Sequence, residues 1–303
     1  YKAKVSEYYP NADAVAVWGG EDNNPPEYGK VFLAIKPLNS DYLSETEKTA
    51  IKGKLNSLNM LTVRPEIVDA EIVKVLISTT FKYNARATTL SEGELETLVE
   101  LTINNFDRDN LTNFDSIFRH SNLIKAIDDA ESSILSNTTN IRLKKSLATK
   151  VSQLIGYSLT TGNGLYNPTT GYNKVNGGIT SSTGFYVQGD ATNIQYFDDD
   201  GSGNLRRFYL SGATRIYTDN FAGIVNYSTG VISINAINIT STVNVDSTID
   251  FTLIPSSNDV VATRGILIDI SSSDISVKAE VDTIASGESS AGVGYSSTST
   301  STY

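Results

Sequence analysis

The chain has 303 residues, 39% of them hydrophobic and 19% charged, with a net charge of −10. That is enough apolar material for a buried core and too little charge for a disordered polyelectrolyte. The absence of cysteine and a lone histidine exclude disulfide scaffolds, thiol nucleophiles and structural zinc sites.

The elements follow in order. Val15, Val17 and Trp18 form a strand stopped by Gly19-Gly20. EDNNPPEYG is a loop, because Pro25-Pro26 impose extended backbone. KVFLAIKP is a nearly continuous apolar run, the pattern of a central strand covered on both faces. Ser44 and Glu47 make a capping box, and Ile51, Leu55 and Leu58 line one helix face behind it. Val63, Arg64 and Pro65 lead into a long strand. There Val73, Val75, Ile77, Thr79, Phe81 and Tyr83 alternate with polar residues. Ser91 and Glu94 open a second helix through Leu95, Leu98, Val99, Thr102 and Phe106, with Leu90 as its staple residue. A third helix over Ser121–Ala130 and a strand over Ile134–Leu147 complete this half.

Composition changes near residue 150. Residues 1–150 hold 18 Lys+Arg, 21 Asp+Glu and 5 Gly, whereas residues 151–303 hold 6, 13 and 17. We therefore expect an N-terminal α+β layered domain over 1–150, a linker between Ala148 and Gly162, and a β-rich, sandwich-like domain over 151–303. In the second half, Ile249, Phe251 and Leu253 alternate, as do Ile266, Ile268 and Ile270, then Ile275, Val277, Ala279 and Val281. Thr170-Gly171, Thr183-Gly184 and Thr229-Gly230 read as hairpin turns. The end of the chain is a low-complexity Gly/Ser/Thr tail, expected to order only on binding.

Chemistry-bearing motifs are few. In FDDDGSGN, Asp198, Asp200, Ser202 and Gly203 match the opening of a calcium loop, but Tyr209 stands where a bidentate Glu is needed. An exposed hairpin tip without an ion accounts for the same residues. On that reading, replacing Asp198 and Asp200 costs no more than about 0.5 kcal/mol. Gly29-Lys30 lacks the P-loop spacing, and no G-x-S-x-G is present. His120 reads as a capping or surface residue, and Asp128-Asp129 diverge on a helix rather than converge on a substrate. No catalytic, cofactor or metal residue is assigned. The acidic balance and the small Arg142/Lys144/Lys145 cluster argue against nucleic acid. No apolar run reaches the ~18–20 residues of a membrane helix, and Tyr1–Lys4 open no signal peptide. The only Met is Met60, so the chain reads as a fragment or processed product. Sixteen tyrosines suit interfaces and pleated sheet faces equally well.

The stretch VSEYYPNADAVAVWGGEDNNPPEYGKVFLAIKP carries a resemblance. Its strand ending at Trp18, Pro25-Pro26 loop and Gly29 before the next strand resemble the baseplate wedge proteins of T-even-type contractile-tailed bacteriophages. These are related to the wider baseplate J-like family. The helix from Ser44, the Val63–Pro65 strand entry and RHSNLIKAID (Arg119–Asp128) extend the resemblance over roughly residues 5–150. It implies a C-terminal portion of a structural virion protein with no catalytic centre. It further implies self-association as a dimer within a ring, contacts with other wedge proteins, and rearrangement on sheath contraction. The Trp18–Tyr28 region and the Tyr-rich half with its tail are the expected contact surfaces. A carbohydrate-binding or adhesin-like β-sandwich is the alternative.

Overall fold

The computed structural model describes residues 1–23, 25–38, 40, 42–57, 63–167, 178–262 and 265–285. Leu58, the Thr170-Gly171 turn and the tail from residue 286 lie outside the described residues. A short helix, α1 (Lys2–Tyr8), opens the chain; its single buried residue, Val5, gave no periodic signal in the sequence. Strand β1 (Ala12–Gly19) pairs antiparallel with β2 (Lys30–Pro37). Helix α2 (Glu45–Asn56) crosses over to β3 (Arg64–Val68), which joins β2 in parallel, a pairing that requires such a crossover. Val5, Val15, Leu33, Ile35, Ile51 and Leu55 form a core between this sheet and its two helices. The other face carries Ala14 and Ala34 against Ile72, Phe114 and Leu267, so small side chains let the sheet approach the rest of the molecule closely.

At Asp69-Ala70 the chain leaves the small sheet. The long strand expected from Val63 onward is thus two strands in two sheets. β4 (Glu71–Tyr83) is followed by α3 (Glu92–Asn110), β5 (Ile117–Phe118), α4 (His120–Asp128) and β6 (Ile134–Ala148). Both capping boxes form, at Ser44/Glu47 and Ser91/Glu94. Leu95, Val99, Ile103 and Phe106 of α3 are buried, with Leu123 and Ile127 of α4, whereas Leu90 stays exposed.

The remaining strands are β7 (Leu154–Thr160), β8 (Thr180–Ser182), β9 (Phe185–Val187), β10 (Asp190–Asp199), β11 (Asn204–Ser211), β12 (Thr214–Asn226), β13 (Val231–Thr242), β14 (Thr248–Leu253), β15 (Val260–Val261), β16 (Ile266–Asp269) and β17 (Ile275–Val281). Pairings β10–β11–β12–β13–β9–β10 close a ring, a small barrel, and β7 adds to β13. From β10 the sheet runs on through β8, β14, β6 and β4, and β16 and β17 pair in parallel with β4.

This topology overturns the expected fold class. Among the described residues the chain is mostly β, with 17 strands and four α-helices. There is no N-terminal α+β layered domain, because β4 and β6 lie in one 12-stranded sheet with strands from beyond residue 150. Nor is the second half a sandwich, since five of its strands close into a barrel. The core is continuous in the same way. Phe185 stacks on Phe197 at 4.6 Å and Phe197 on Phe251 at 5.8 Å, carrying the barrel interior onto β14. Each fully buried ring contributes about 1.5–3 kcal/mol of transfer free energy.

Candidate interaction surfaces

The three consecutive aspartates of the β10–β11 turn go separate ways, because alternate residues of a strand face opposite sides. Asp198 is 1% exposed, not at a solvent-facing tip. It stands directly across from Arg206 of β11. Its carboxylate accepts from Arg206 Nε at 2.9 Å, Arg215 Nη1 at 2.7 Å and the Tyr217 hydroxyl at 2.8 Å. Burial pushes this carboxyl above its ordinary range, and the Tyr217, Arg206 and Arg215 donors act the other way. The guanidinium of Arg206 also lies 4.2 Å from the centre of the Tyr217 ring. Asp199, fully buried, accepts from the Thr180 N–H, the Gly201 N–H and the Tyr227 hydroxyl. Asp200 folds the turn, accepting from the Ser202 and Asn204 N–H groups and the Asn204 side chain. The spacing that imitates a calcium loop therefore serves a turn and two buried polar clusters. The solvent-exposed position on which a nearly neutral substitution was expected is not where Asp198 lies. The Arg206–Asp198–Arg215–Tyr217 cluster was missed because its members meet only through pairings across three strands. Alternation within β11 and β12 is the one signal that puts the Arg and Tyr side chains on a common face.

His120 begins α4. Its Nε2 lies 3.0 Å from the Thr139 carbonyl, to which it donates, and its N–H donates to Asp259 at 3.1 Å. Asp259 also accepts from Arg119 at 2.6 Å and supplies the helix N-terminus with a carboxylate from a distant loop. The Arg119 guanidinium, then the His120 N–H, hold the Asp259 carboxyl below its ordinary range. Asp128 accepts from Asn137 while Asp129 pairs with Lys125, so the two carboxylates diverge. The Arg142/Lys144/Lys145 cluster is split by strand alternation. Lys144 pairs with Asp274 and Lys145 with Glu71. Lys30 pairs with Glu27. Among the described residues no helix is long and apolar enough to cross a membrane.

Exposed apolar groups occur, among other places, on both expected contact surfaces. In the Trp18–Tyr28 region, Trp18 stacks on Phe32 at 5.9 Å and donates to Asn23, while Tyr28 is 80% exposed. On the barrel, Leu154, Phe221 and Ile224 are each more than 60% exposed.

Comparison with known proteins follows this anatomy. Residues 1–68 match the family model described as baseplate structural protein gp6, C-terminal domain I, and residues 71–146 match C-terminal domain III of the same protein. The two matches meet at the Asp69-Ala70 step between sheets. Baseplate wedge protein gp6 of Enterobacteria phage T4 is 27% identical over 145 residues, which make up 47% of this chain and 21% of that protein. The match thus spans about a fifth of the length of this curated relative. The barrel strands β7 and β9–β13 lie beyond both family matches. Over its first 146 residues the chain resembles the C-terminal part of a phage baseplate wedge protein.

Proposed function

We propose that this chain is a structural part of a bacteriophage tail baseplate wedge, assembled in the host cytoplasm and carried in the virion. One observation carries the reading: C-terminal domains I and III of one baseplate structural protein match consecutive stretches of this chain, divided at the change of sheet at residues 69–70. On this reading the chain works by assembly and is not an enzyme. The engagement of His120 by the Thr139 carbonyl, and of Asp198 and Asp199 by internal donors, supports that view. The finer proposals are a dimer that forms part of the ring joining wedges around the hub, contacts with other wedge proteins, and movement with that ring during contraction. A ring needs a second contact besides a two-fold one, and the Trp18–Tyr28 region and the barrel offer separate exposed surfaces. Mass spectrometry of purified phage tails tests the reading, with stoichiometric recovery of this chain beside other wedge proteins as the expected result. Its absence from tails refutes the proposal, and a strict monomer in sedimentation at micromolar concentration refutes the dimer.

A further inference from the structure

Strand β7 extends the barrel sheet from β13 and pairs with no other strand among the described residues, so it is an open edge. Thr161 donates its N–H to the Gly230 carbonyl at 3.1 Å, and β7 and β13 pair in unbroken register from Thr160 back to Tyr157. Alternation along an antiparallel strand therefore turns the N–H and C=O groups of Ser158 and Thr160 away from β13. A row of such groups is a template for another strand. Leu159 is buried, whereas Gly156 and Ser158 are exposed, and Leu154 and Val151 present exposed apolar side chains beside them.

Other sheet edges are blunted. β3 carries Arg64, Pro65 and Glu66. β17 carries Lys278 and Glu280, and Glu96 of α3 takes the Ala279 N–H of that strand at 3.0 Å. β7 has none of these devices, because no Asp, Glu, Lys or Arg stands between Lys150 and Lys174. With a net charge of −10, two copies of the chain repel each other over most of their surfaces. A charge-free edge is where they meet at the least electrostatic cost. An antiparallel pair of identical strands also satisfies two-fold symmetry by itself, since each residue meets the same partner in both directions.

We propose that β7 is the self-association edge of this chain, pairing antiparallel with β7 of a second copy about a two-fold axis near Tyr157, the middle residue of the strand. Two barrels then share one continuous sheet, with Val151 and Leu154 adding apolar contact at each end. The inference rests on the dimer of the wedge reading and names its contact.

The test is sedimentation of the full chain at micromolar concentration, where the unmodified protein is expected to be a dimer. Ser158 is exposed and lies one residue from the axis, so a charge placed there faces its own copy. Ser158→Asp and Ser158→Lys are each expected to weaken the dimer at least about fivefold, through like charges set across the strand pair. Mixing the two variants is expected to restore a dimer containing one of each, which also shows that both are folded. Tyr28→Asp, on the other exposed surface, is expected to change nothing. A dimer that survives both Ser158 variants, variants that stay monomeric when mixed, or loss of the dimer in Tyr28→Asp overturns the β7 contact. A strict monomer overturns the dimer together with the contact. None of these results touches the recovery of the chain from purified tails, which tests the wedge reading separately.

Discussion

Replacing Asp198 with Ala removes the one carboxylate shared by Arg206, Arg215 and Tyr217. Arg206 is 5% exposed. It keeps its hydrogen bond to the Asp199 carbonyl at 3.0 Å and its place over the Tyr217 ring. It loses the Asp198 carboxylate at a buried position where little water can replace it. Removing one partner of such a buried pair costs about 3–5 kcal/mol, mostly the penalty of the charge left behind. Arg215 is partly exposed and recovers some solvation, so the lower half of that range is expected. Set against a typical total of about 5–15 kcal/mol, this is a large fraction, and it corresponds to a fall in Tm on the order of 10 °C. Urea unfolding followed by circular dichroism measures it, with Asp200→Ala as the turn control, expected to lose about 1 kcal/mol. The double change Asp198→Leu/Arg206→Leu removes both charges and is expected to cost less than Asp198→Ala alone. A loss within about 0.5 kcal/mol for Asp198→Ala, the behaviour of an exposed hairpin tip, refutes the argument from burial.

Three further outcomes are expected. Burial, then the neighbouring Asp269, raise the Asp107 carboxyl from 3.8 to about 6. The folded chain therefore binds this proton more readily than the unfolded chain between about pH 4 and 6, and stability falls as pH rises through that window, by up to about 3 kcal/mol. Asp107→Asn should flatten that slope in pH-dependent unfolding; identical profiles for the two proteins would sink the idea. Ser91→Ala should destabilise α3 by about 0.5–2 kcal/mol through loss of its capping box, and an unchanged Tm would show that α3 owes its start to packing alone. We also propose the division near residue 150 as the site of first proteolytic cleavage, at the exposed Lys150–Ser152 turn between Ala148 and Gly162. The pieces should stay together on gel filtration through the β6–β14 and β4–β17 pairs, and elution as two separate folded fragments is the contrary result.

Local chemistry was legible in the sequence. Ser44/Glu47 and Ser91/Glu94 announce helix starts because a capping box is complete within four residues. The alternation from Val73 to Tyr83 announces β4 because a strand shows its buried face at every second residue. The order of strand, Pro-loop, strand and helix before residue 69 was enough to carry the family resemblance. Long-range pairing was not legible. β16 and β17 lie nearly 200 residues from their partner β4 in sequence, and no local pattern encodes which distant strand completes a sheet. That is why an α+β layer was expected where β4 and β6 instead begin a 12-stranded sheet. The same reason hid the fate of Asp198. DDDGSGN by itself specifies a tight turn, and it does so in the structure. Whether the carboxylate before that turn faces water or two arginines depends on the register of β10, β11 and β12 and on the closure of the barrel around them. Those are decided by the packing of the whole molecule, where burying Phe185, Phe197 and Phe251 together fixes which strands meet.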